Sequence, residues 1–424
     1  MARILINTFG SLGDLHPYVA LSRGLIARGH TAIIATSPAY REIVEQAGVG
    51  FHPVRPDLED FGPFADVARR IYEGRAGMEY IVRGLVMPRL AYTYDDLLPA
   101  ARQADLLLTH PLSFSAQLLA RSLGLRWLST VLSPMVFLSV YDPPVLPPAP
   151  WLKPLSGISP ALYRAVFFAL RRMTRGWSEP VRELARSRGL PMPEQDPLFE
   201  GQYSPYGTLA MFSPLLAAPQ RDWPPHTQVT GFAMHDDEPV AAELRKRLDA
   251  FLEAGEPPIV FTLGSSAIHA AGDFYARSAE IAQRLRRRAV LLTGAVQDNR
   301  RLPAHDADVL ALEYAPYGYL FPRAAAIVHQ GGVGTLAQAM RSGRPMLVVP
   351  FAHDQPDNAA RARRLGIAEV LSRSRYSVGN ASKALERLLR GPAHEQASAG
   401  VRQLLRGEDG VRAACVAIER VLTA

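Results

Sequence analysis

The chain is poor in cysteine and lysine and has no long apolar run. One cysteine, Cys415, among 424 residues leaves no intrachain disulfide and no cysteine-rich metal centre, and it fits a reducing, cytoplasmic setting. No apolar stretch reaches the roughly 18 residues of a membrane-spanning helix. The opening Met-Ala-Arg-Ile-Leu-Ile-Asn-Thr runs straight into a strand pattern without the regions of a secretory leader, so the expectation is a cytoplasmic protein. Lys153, Lys246 and Lys383 are the only lysines within 47 basic residues, so arginine carries the net charge of +7. The arginines are scattered and no run of five like charges occurs. That pattern reads as codon usage rather than as a nucleic-acid footprint. Gly-x-Ser-x-Gly, His-Glu-x-x-His and a lysine-bearing phosphate loop are also absent, which removes three common hydrolase signatures.

What is present is an ordinary globular composition, 48% hydrophobic and 21% charged, in a chain long enough for two or three domains. Arg3-Ile-Leu-Ile-Asn-Thr8 is a short apolar run. A glycine-rich turn, Gly10-Ser11-Leu-Gly13-Asp14, follows it, then helical spacing from Pro17 to Arg28, then a second apolar run, Thr31–Thr36. Strand, turn, helix, strand is the unit of a parallel sheet. Leu106–Thr109 and Arg126–Val131 extend it, with a helix at Phe114–Leu123 between them. The grammar restarts at Pro258-Ile-Val-Phe-Thr-Leu-Gly264-Ser265-Ser266. Strands at Val290–Thr293, Val309–Leu312, Ala326–Val328 and Met346–Val349 follow, separated by helical stretches at Asp273–Arg288, Gly334–Ser342 and Asn358–Leu365. Two α/β blocks in series predict two doubly wound domains. The expected division is an N-terminal domain over 1–218, a proline-rich linker over 219–240 and a C-terminal domain over 241–409. A last helix over 410–424 follows, and packing back on the N-terminal domain is one of the two options left open for it. Residues 142–160 read as a proline-rich excursion, followed by an arginine- and aromatic-rich helix at Leu162–Arg175.

The strongest chemical signal is His329-Gln-Gly331-Gly332-Val-Gly334-Thr335, between a strand and a helix. Small residues let backbone N–H groups approach an anion, the helix terminus adds positive potential and Thr335 adds a hydroxyl. A diphosphate suits it, with His329 as a further donor. After the next strand comes Pro350-Phe-Ala-His353-Asp354-Gln355, where a carboxylate beside a carboxamide suits sugar hydroxyls. Upstream, Glu313-Tyr314-Ala315-Pro316-Tyr317-Gly318-Tyr319-Leu320 offers aromatic rings to a nucleobase. Ser265 and Ser266 face the same phosphates across the sheet.

Residues 312–358 together resemble the donor signature of family 1 glycosyltransferases of the GT-B fold. The matching positions are Tyr314, Pro316, Tyr317, Leu320, His329, Gly331, Gly332, Thr335, Pro350, Asp354 and Gln355. Tyr314 stands where the family usually has Trp, and Tyr317 where it has Gln. Gly10-Ser11-Leu-Gly13-Asp14-Leu-His16-Pro17 is similar to the opening loop of bacterial antibiotic, sterol and rhamnolipid glycosyltransferases. The likeness is closest to the rhamnolipid-type rhamnosyltransferases. The resemblance implies two Rossmann-like domains facing each other across a cleft. It implies nucleotide binding at Gly13, Ser265, Ser266, Tyr314, Ala315, Tyr317, His329, Gly331, Gly332, Gly334, Thr335, Asp354 and Gln355.

The family's first loop carries its catalytic base, and Asp14 occupies that position, with His16 as the second choice. A carboxylate within reach of an acceptor hydroxyl takes its proton during attack on the anomeric carbon, and a single displacement inverts that centre. The competing assignment for Asp14 is a helix cap before Pro17. His110 lies where plant members keep an aspartate that supports their base, and with Met135 and Phe137 it is assigned to the acceptor. The segments 57–89 and 134–175 shape an apolar acceptor pocket.

The resemblance implies an inverting hexosyltransferase. It would move a glucose- or rhamnose-type sugar from a UDP- or dTDP-sugar to a lipid hydroxy acid, polyketide, flavonoid or sterol. The nucleotide sugar is a co-substrate, so no cofactor and no metal are expected. Asp306-Ala-Asp308, Tyr94-Asp95-Asp96 and His235-Asp236-Asp237 are read as solvated loop charges. The other readings weighed are a nucleotide-sugar epimerase of the same fold and a non-catalytic auxiliary protein. The partners expected are a nucleotide sugar and a hydrophobic small molecule, not a nucleic acid. The Leu162–Arg175 helix suits peripheral contact with a membrane surface. Monomer and homodimer both stay open.

Overall fold

Short runs of Ile, Leu and Val between glycine-rich turns suit strands buried on both faces, and the computed structural model forms two all-parallel sheets from them. It describes residues 1–72, 76–147, 149–157, 159–235, 240–300 and 308–423. The chain divides into two units, Met1–Met234 with Asp409–Ala424, and His235–Glu408.

In the first unit seven strands lie in the order β3-β2-β1-β4-β5-β6-β7. They are β1 Arg3–Asn7, β2 Thr31–Thr36, β3 Gly50–Pro53, β4 Leu106–Thr109, β5 Trp127–Val131, β6 Thr208–Ala210 and β7 Thr227–Val229. Leu5 of β1 stands in register with Ile33 on one side and Leu107 on the other. Ile4, Leu5, Ile6, Leu106, Leu107 and Leu108 are essentially sealed from solvent. Each such aliphatic side chain contributes about 1.5–3 kcal/mol by burial. Helices α1 Leu12–Ala27, α2 Phe114–Leu123 and α3 Pro160–Thr174 belong to this unit.

In the second unit six strands run β10-β9-β8-β11-β12-β13. They are β8 Ile259–Thr262, β9 Ala289–Leu292, β10 Val309–Leu312, β11 Ala326–His329, β12 Met346–Val348 and β13 Ala368–Val370. The helices used below are α4 Phe274–Leu285, α5 Val333–Ser342 and α6 Gln355–Arg364. The last helix, α7 Gly410–Thr423, belongs to the first unit and packs on α1. Arg28 pairs with Glu419 at 2.6 Å, and Arg126 donates to the Val421 carbonyl at 3.0 Å.

Strand order reverses between β1 and β4 in one sheet and between β8 and β11 in the other. Two βαβ series winding in opposite directions leave a crevice at that point, outside the carboxyl ends of the strands. The turns after β1 and β4, and after β8 and β11, are therefore the places that topology prepares for ligands.

Three expectations change. Helix α1 begins at Leu12 rather than at Pro17, because Ser11 and Asp14 form a capping box that starts it early. Pro17 then lies inside α1, beyond its first turn, where it gives up the one helical hydrogen bond that would reach the Gly13 carbonyl. The stretch 219–240 is not only a linker, since it supplies β7. That strand is short and nowhere fully buried, so it has no apolar signature to read. Tyr94-Asp95-Asp96 lies on a helix, Leu90–Ala101, where Asp95 and Asp96 pair with Arg188 and Arg55. Asp236, Asp237 and Asp306 lie outside the described residues.

Candidate functional site

The turn after β1 leads directly into α1. Ser11 is the N-cap: its hydroxyl accepts from Gly13 N–H at 3.2 Å, and its own N–H donates to Asp14 Oδ2 at 2.8 Å. Gly13, expected to face a nucleotide, thus spends its N–H on the cap. Asp14 is not the N-cap but the third residue of the box, and its Oδ2 also accepts from the Ser11 hydroxyl at 3.2 Å. Gly10 sits at φ +140°, and a side chain there would collide with the Asp14 carboxylate. The glycine is what lets the carboxylate fold back over the turn.

His110 follows β4, the strand beside β1, and comes up against Asp14. Its Nε2 is 3.5 Å from Asp14 Oδ1, and its ring is nearly buried while the Asp14 side chain is 35% exposed. Leu112 N–H donates to His110 Nδ1 at 3.2 Å. In the neutral ring that fixes the proton on Nε2, which faces the carboxylate. Burial pushes the Asp14 carboxyl up. The His110 hydrogen bond and charge and the two Ser11 donors outweigh that and hold it below the usual carboxylate range. Asp14 is therefore ionised at neutral pH, partly exposed and oriented from two sides, as a general base requires. His16 lies two residues further along α1, on a different face, and is half-buried. A cavity at the ends of β1, β2 and β4 is lined by Asn7, Thr8, Phe9, Ser37, Leu112 and Ser113 among others.

The residues assigned to the acceptor divide. Met135 is half-buried on the turn after β5. Phe137 stacks on Trp223 at 4.2 Å between ring centres, lies near Tyr203 and Phe212, and is buried. It is a core residue, corrected from its assignment to the acceptor. Apolar character alone does not separate a pocket wall from a core.

In the second unit the two turns expected to hold a diphosphate lie side by side. Gly264 lies in the turn after β8 at φ +66°, with Ser265 exposed and Ser266 half-buried after it. Gly331, at φ +90°, and Gly332 lead from β11 into α5, and Gly332 is an N-cap with no side-chain hydrogen bond. The first N–H groups of a helix have no partner within it, and here the half-exposed Gly332, Val333 and Gly334 surround them. Such a terminus takes an anion readily.

His329 is placed differently from expectation. It is fully buried, its Nδ1 accepts from Gly331 N–H at 3.1 Å, and its Nε2 faces Met346 Sδ at 3.3 Å. Burial pushes its pKa down to about 3, so the ring is neutral. It shapes the glycine turn from below instead of meeting the phosphate. Thr335 is nearly buried, and its hydroxyl faces Gln330 Nε2 at 3.4 Å and the Tyr317 hydroxyl.

The aromatic loop also divides. Tyr314 is 50% exposed and can offer a face to a base. Tyr317 stacks on Phe321 at 4.3 Å, and its hydroxyl meets Thr262 Oγ1 at 3.0 Å, so its ring is committed to the domain. Ala315 is fully buried, so its surface offers nothing to a ligand. Asp354 is half-buried at the start of α6. Gln355 is buried, and its Oε1 accepts from Phe351 N–H at 2.8 Å and Ala352 N–H at 3.1 Å. That acceptor serves the loop rather than a sugar.

Residue type alone does not single out Gly10, Ser11, Gln330 or Asn358. The Ser-x-x-Asp pattern at Ser11 and Asp14 is a readable capping signal.

Comparison with known proteins follows the same two units. Residues 4–95 match the glycosyltransferase family 28 N-terminal domain, and residues 279–408 match the erythromycin biosynthesis protein CIII-like C-terminal domain. The O-mycaminosyltylonolide 6-deoxyallosyltransferase of Streptomyces fradiae is 31% identical over 423 residues, covering 98% of this chain and 97% of that one. Among solved structures, the spinosyn forosaminyltransferase SpnP is 17% identical with a TM-score of 0.73, covering 100% of both chains. The glycosyltransferase VinC in complex with dTDP is 20% identical with a TM-score of 0.68, covering 99% of each.

Proposed function

The chain belongs to the GT-B glycosyltransferases with a family 28-type N-terminal domain and an erythromycin CIII-like C-terminal domain, and is a hexosyltransferase; on that premise we propose that it inverts the anomeric centre with Asp14 as base. The observation that carries this is the Asp14–His110 pair. It is an ionised carboxylate at the carboxyl ends of β1 and β4, held on one side by a capping box and on the other by an imidazole N–H. As the acceptor oxygen attacks the anomeric carbon, its proton passes to Asp14, and the carbon–oxygen bond to the diphosphate breaks. The half-exposed start of α5 and Ser265 receive the leaving charge.

The donor is a UDP- or dTDP-sugar of glucose or rhamnose type, bound in the second unit. Tyr314 stacks on the base, backbone groups of the Gly264 and Gly331–Gly334 turns meet the diphosphate, and Asp354 accepts from the sugar. A structural neighbour that holds dTDP supports a thymidine nucleotide. The acceptor is a hydrophobic small molecule bearing a hydroxyl, in keeping with the macrolide named in the Streptomyces fradiae relative. No helix among the described residues is long and apolar enough to cross a membrane. Helix α3 nevertheless exposes Phe168 at 68%, with exposed Arg164 and Arg172 one turn to either side of it, a face suited to an anionic membrane surface.

Thermal shift and turnover with UDP-glucose, dTDP-glucose and dTDP-rhamnose, against 3-hydroxyalkanoate, flavonoid, sterol and macrolide acceptors, test the reading. Stabilisation by one nucleotide sugar and acceptor-dependent release of its diphosphate are expected. Sugar modification with donor alone would instead make it an epimerase.

A further inference from the structure

Helix α6 carries one side chain that touches both parts of the donor site. Asn358 is fully buried one turn after Asp354. Its Nδ2 donates to Asp354 Oδ2 at 2.7 Å and to the Gly331 carbonyl at 3.0 Å. A carboxamide nitrogen has two hydrogens, so both can be used on these acceptors. The four-residue spacing puts Asn358 and Asp354 on the same helix face. Gly331 is closely surrounded and no larger residue fits, because a Cβ there would meet Val348 Cγ1 at 2.8 Å and the Gln355 carbonyl at 3.2 Å. Below it, His329 holds the Gly331 N–H. The carbonyl of that residue is held only from α6 among the described contacts.

We propose that Asn358 is a positioning residue that couples the glycine turn to the sugar-facing carboxylate. One side chain sets the Asp354 carboxylate and the orientation of the Gly331 peptide together. The diphosphate turn and the sugar ligand then keep one relative geometry. The coupling rests on the donor-site reading above. Asparagine is suited to the task because both neighbours are acceptors. Aspartate in its place would set a carboxylate against a carboxylate and a carbonyl, and serine would have one hydrogen for two acceptors.

The test is calorimetric titration of wild type, Asn358→Asp and Asn358→Ser with UDP, dTDP, UDP-glucose, dTDP-glucose and dTDP-rhamnose. Circular dichroism and thermal melting check folding. For the best-bound nucleotide sugar, both variants should lose about tenfold of the affinity gained over its bare diphosphate, in addition to any loss the bare diphosphate itself shows. An equal gain in folded variants and wild type overturns the coupling. Should the variants fail to fold, hydrogen exchange on wild type decides. Bare UDP or dTDP should protect amides of 351–358 as well as those of 331–335, and protection confined to 331–335 overturns it. A wild-type chain that binds no nucleotide fails the donor-site reading itself, whereas bound nucleotide with an unchanged sugar gain fails only Asn358.

Discussion

Replacing Asp14 with asparagine separates chemistry from architecture. The carboxamide can still accept from Ser11 N–H through its Oδ1, so the start of α1 should hold, with a stability loss under about 1 kcal/mol. Removing a general base costs about 10²- to 10⁴-fold in rate, or about 3–5 kcal/mol of transition-state stabilisation. His110→Ala should do less. Its contact with Asp14 is long, at 3.5 Å, and the carboxylate is 35% exposed and therefore screened. That places the loss near 1 kcal/mol, about fivefold in kcat/KM. The pH profile carries the sharper signal. A base must be ionised, so activity falls as pH drops through its pKa, which in the wild type lies below the usual carboxylate range. Without His110 the effect of burial is less opposed, and the acid limb should move up. The double variant should be no slower than Asp14→Asn alone, because no charge remains for His110 to orient. The assay is acceptor-dependent diphosphate release from about pH 3.5 to 8, a window that spans ordinary carboxylate titration. Nucleotide affinity is measured alongside and should stay constant. Turnover by Asp14→Asn within about threefold of wild type would refute the base assignment, given the expected range. A His110→Ala effect of undiminished size in the Asp14→Asn background would refute the pairing.

Other consequences follow from single contacts. Gly10→Ala places a methyl against the Asp14 carboxylate at a φ of +140°, so kcat should fall toward the Asp14→Asn level without loss of nucleotide affinity; full activity would show that the turn tolerates displacement. Burial keeps His329 neutral down to a pKa of about 3 against 6.5 in the unfolded chain. The unfolded state takes up that proton first. His329 therefore contributes full stability above pH 6.5 and loses about 1.4 kcal/mol per pH unit as pH falls toward 3. Urea denaturation at several pH values should show that slope, reduced by about one proton in His329→Gln, and an unchanged slope would contradict it. On α3, Phe168→Asp with Arg172→Glu should abolish sedimentation with phosphatidylglycerol vesicles while leaving transfer to a water-soluble acceptor intact. Vesicle binding that survives would remove this face from consideration.

Local chemistry determined more of this protein than the identity of any one ligand contact. Apolar runs broken by glycine turns produce parallel strands, because a strand covered on both faces has few other compositions. Leu106–Thr109 occupies its expected bounds for that reason. The glycine turn before α5 and the carboxylate at Asp14 were legible because each motif is contiguous. The tertiary structure decided what depends on neighbours distant in the chain. His329 and Phe137 are reactive or apolar types that turned inward, where Met346 and Trp223 cover them. β7 left no apolar trace because it is only partly buried. His110 meets Asp14 because β4 lies beside β1, and Asn358 reaches Gly331 because α6 starts beside the β11 turn. Spacing along the chain fixes which face of an element a side chain takes. Only sheet order, reversing at β1/β4 and at β8/β11, fixes which side chains meet there.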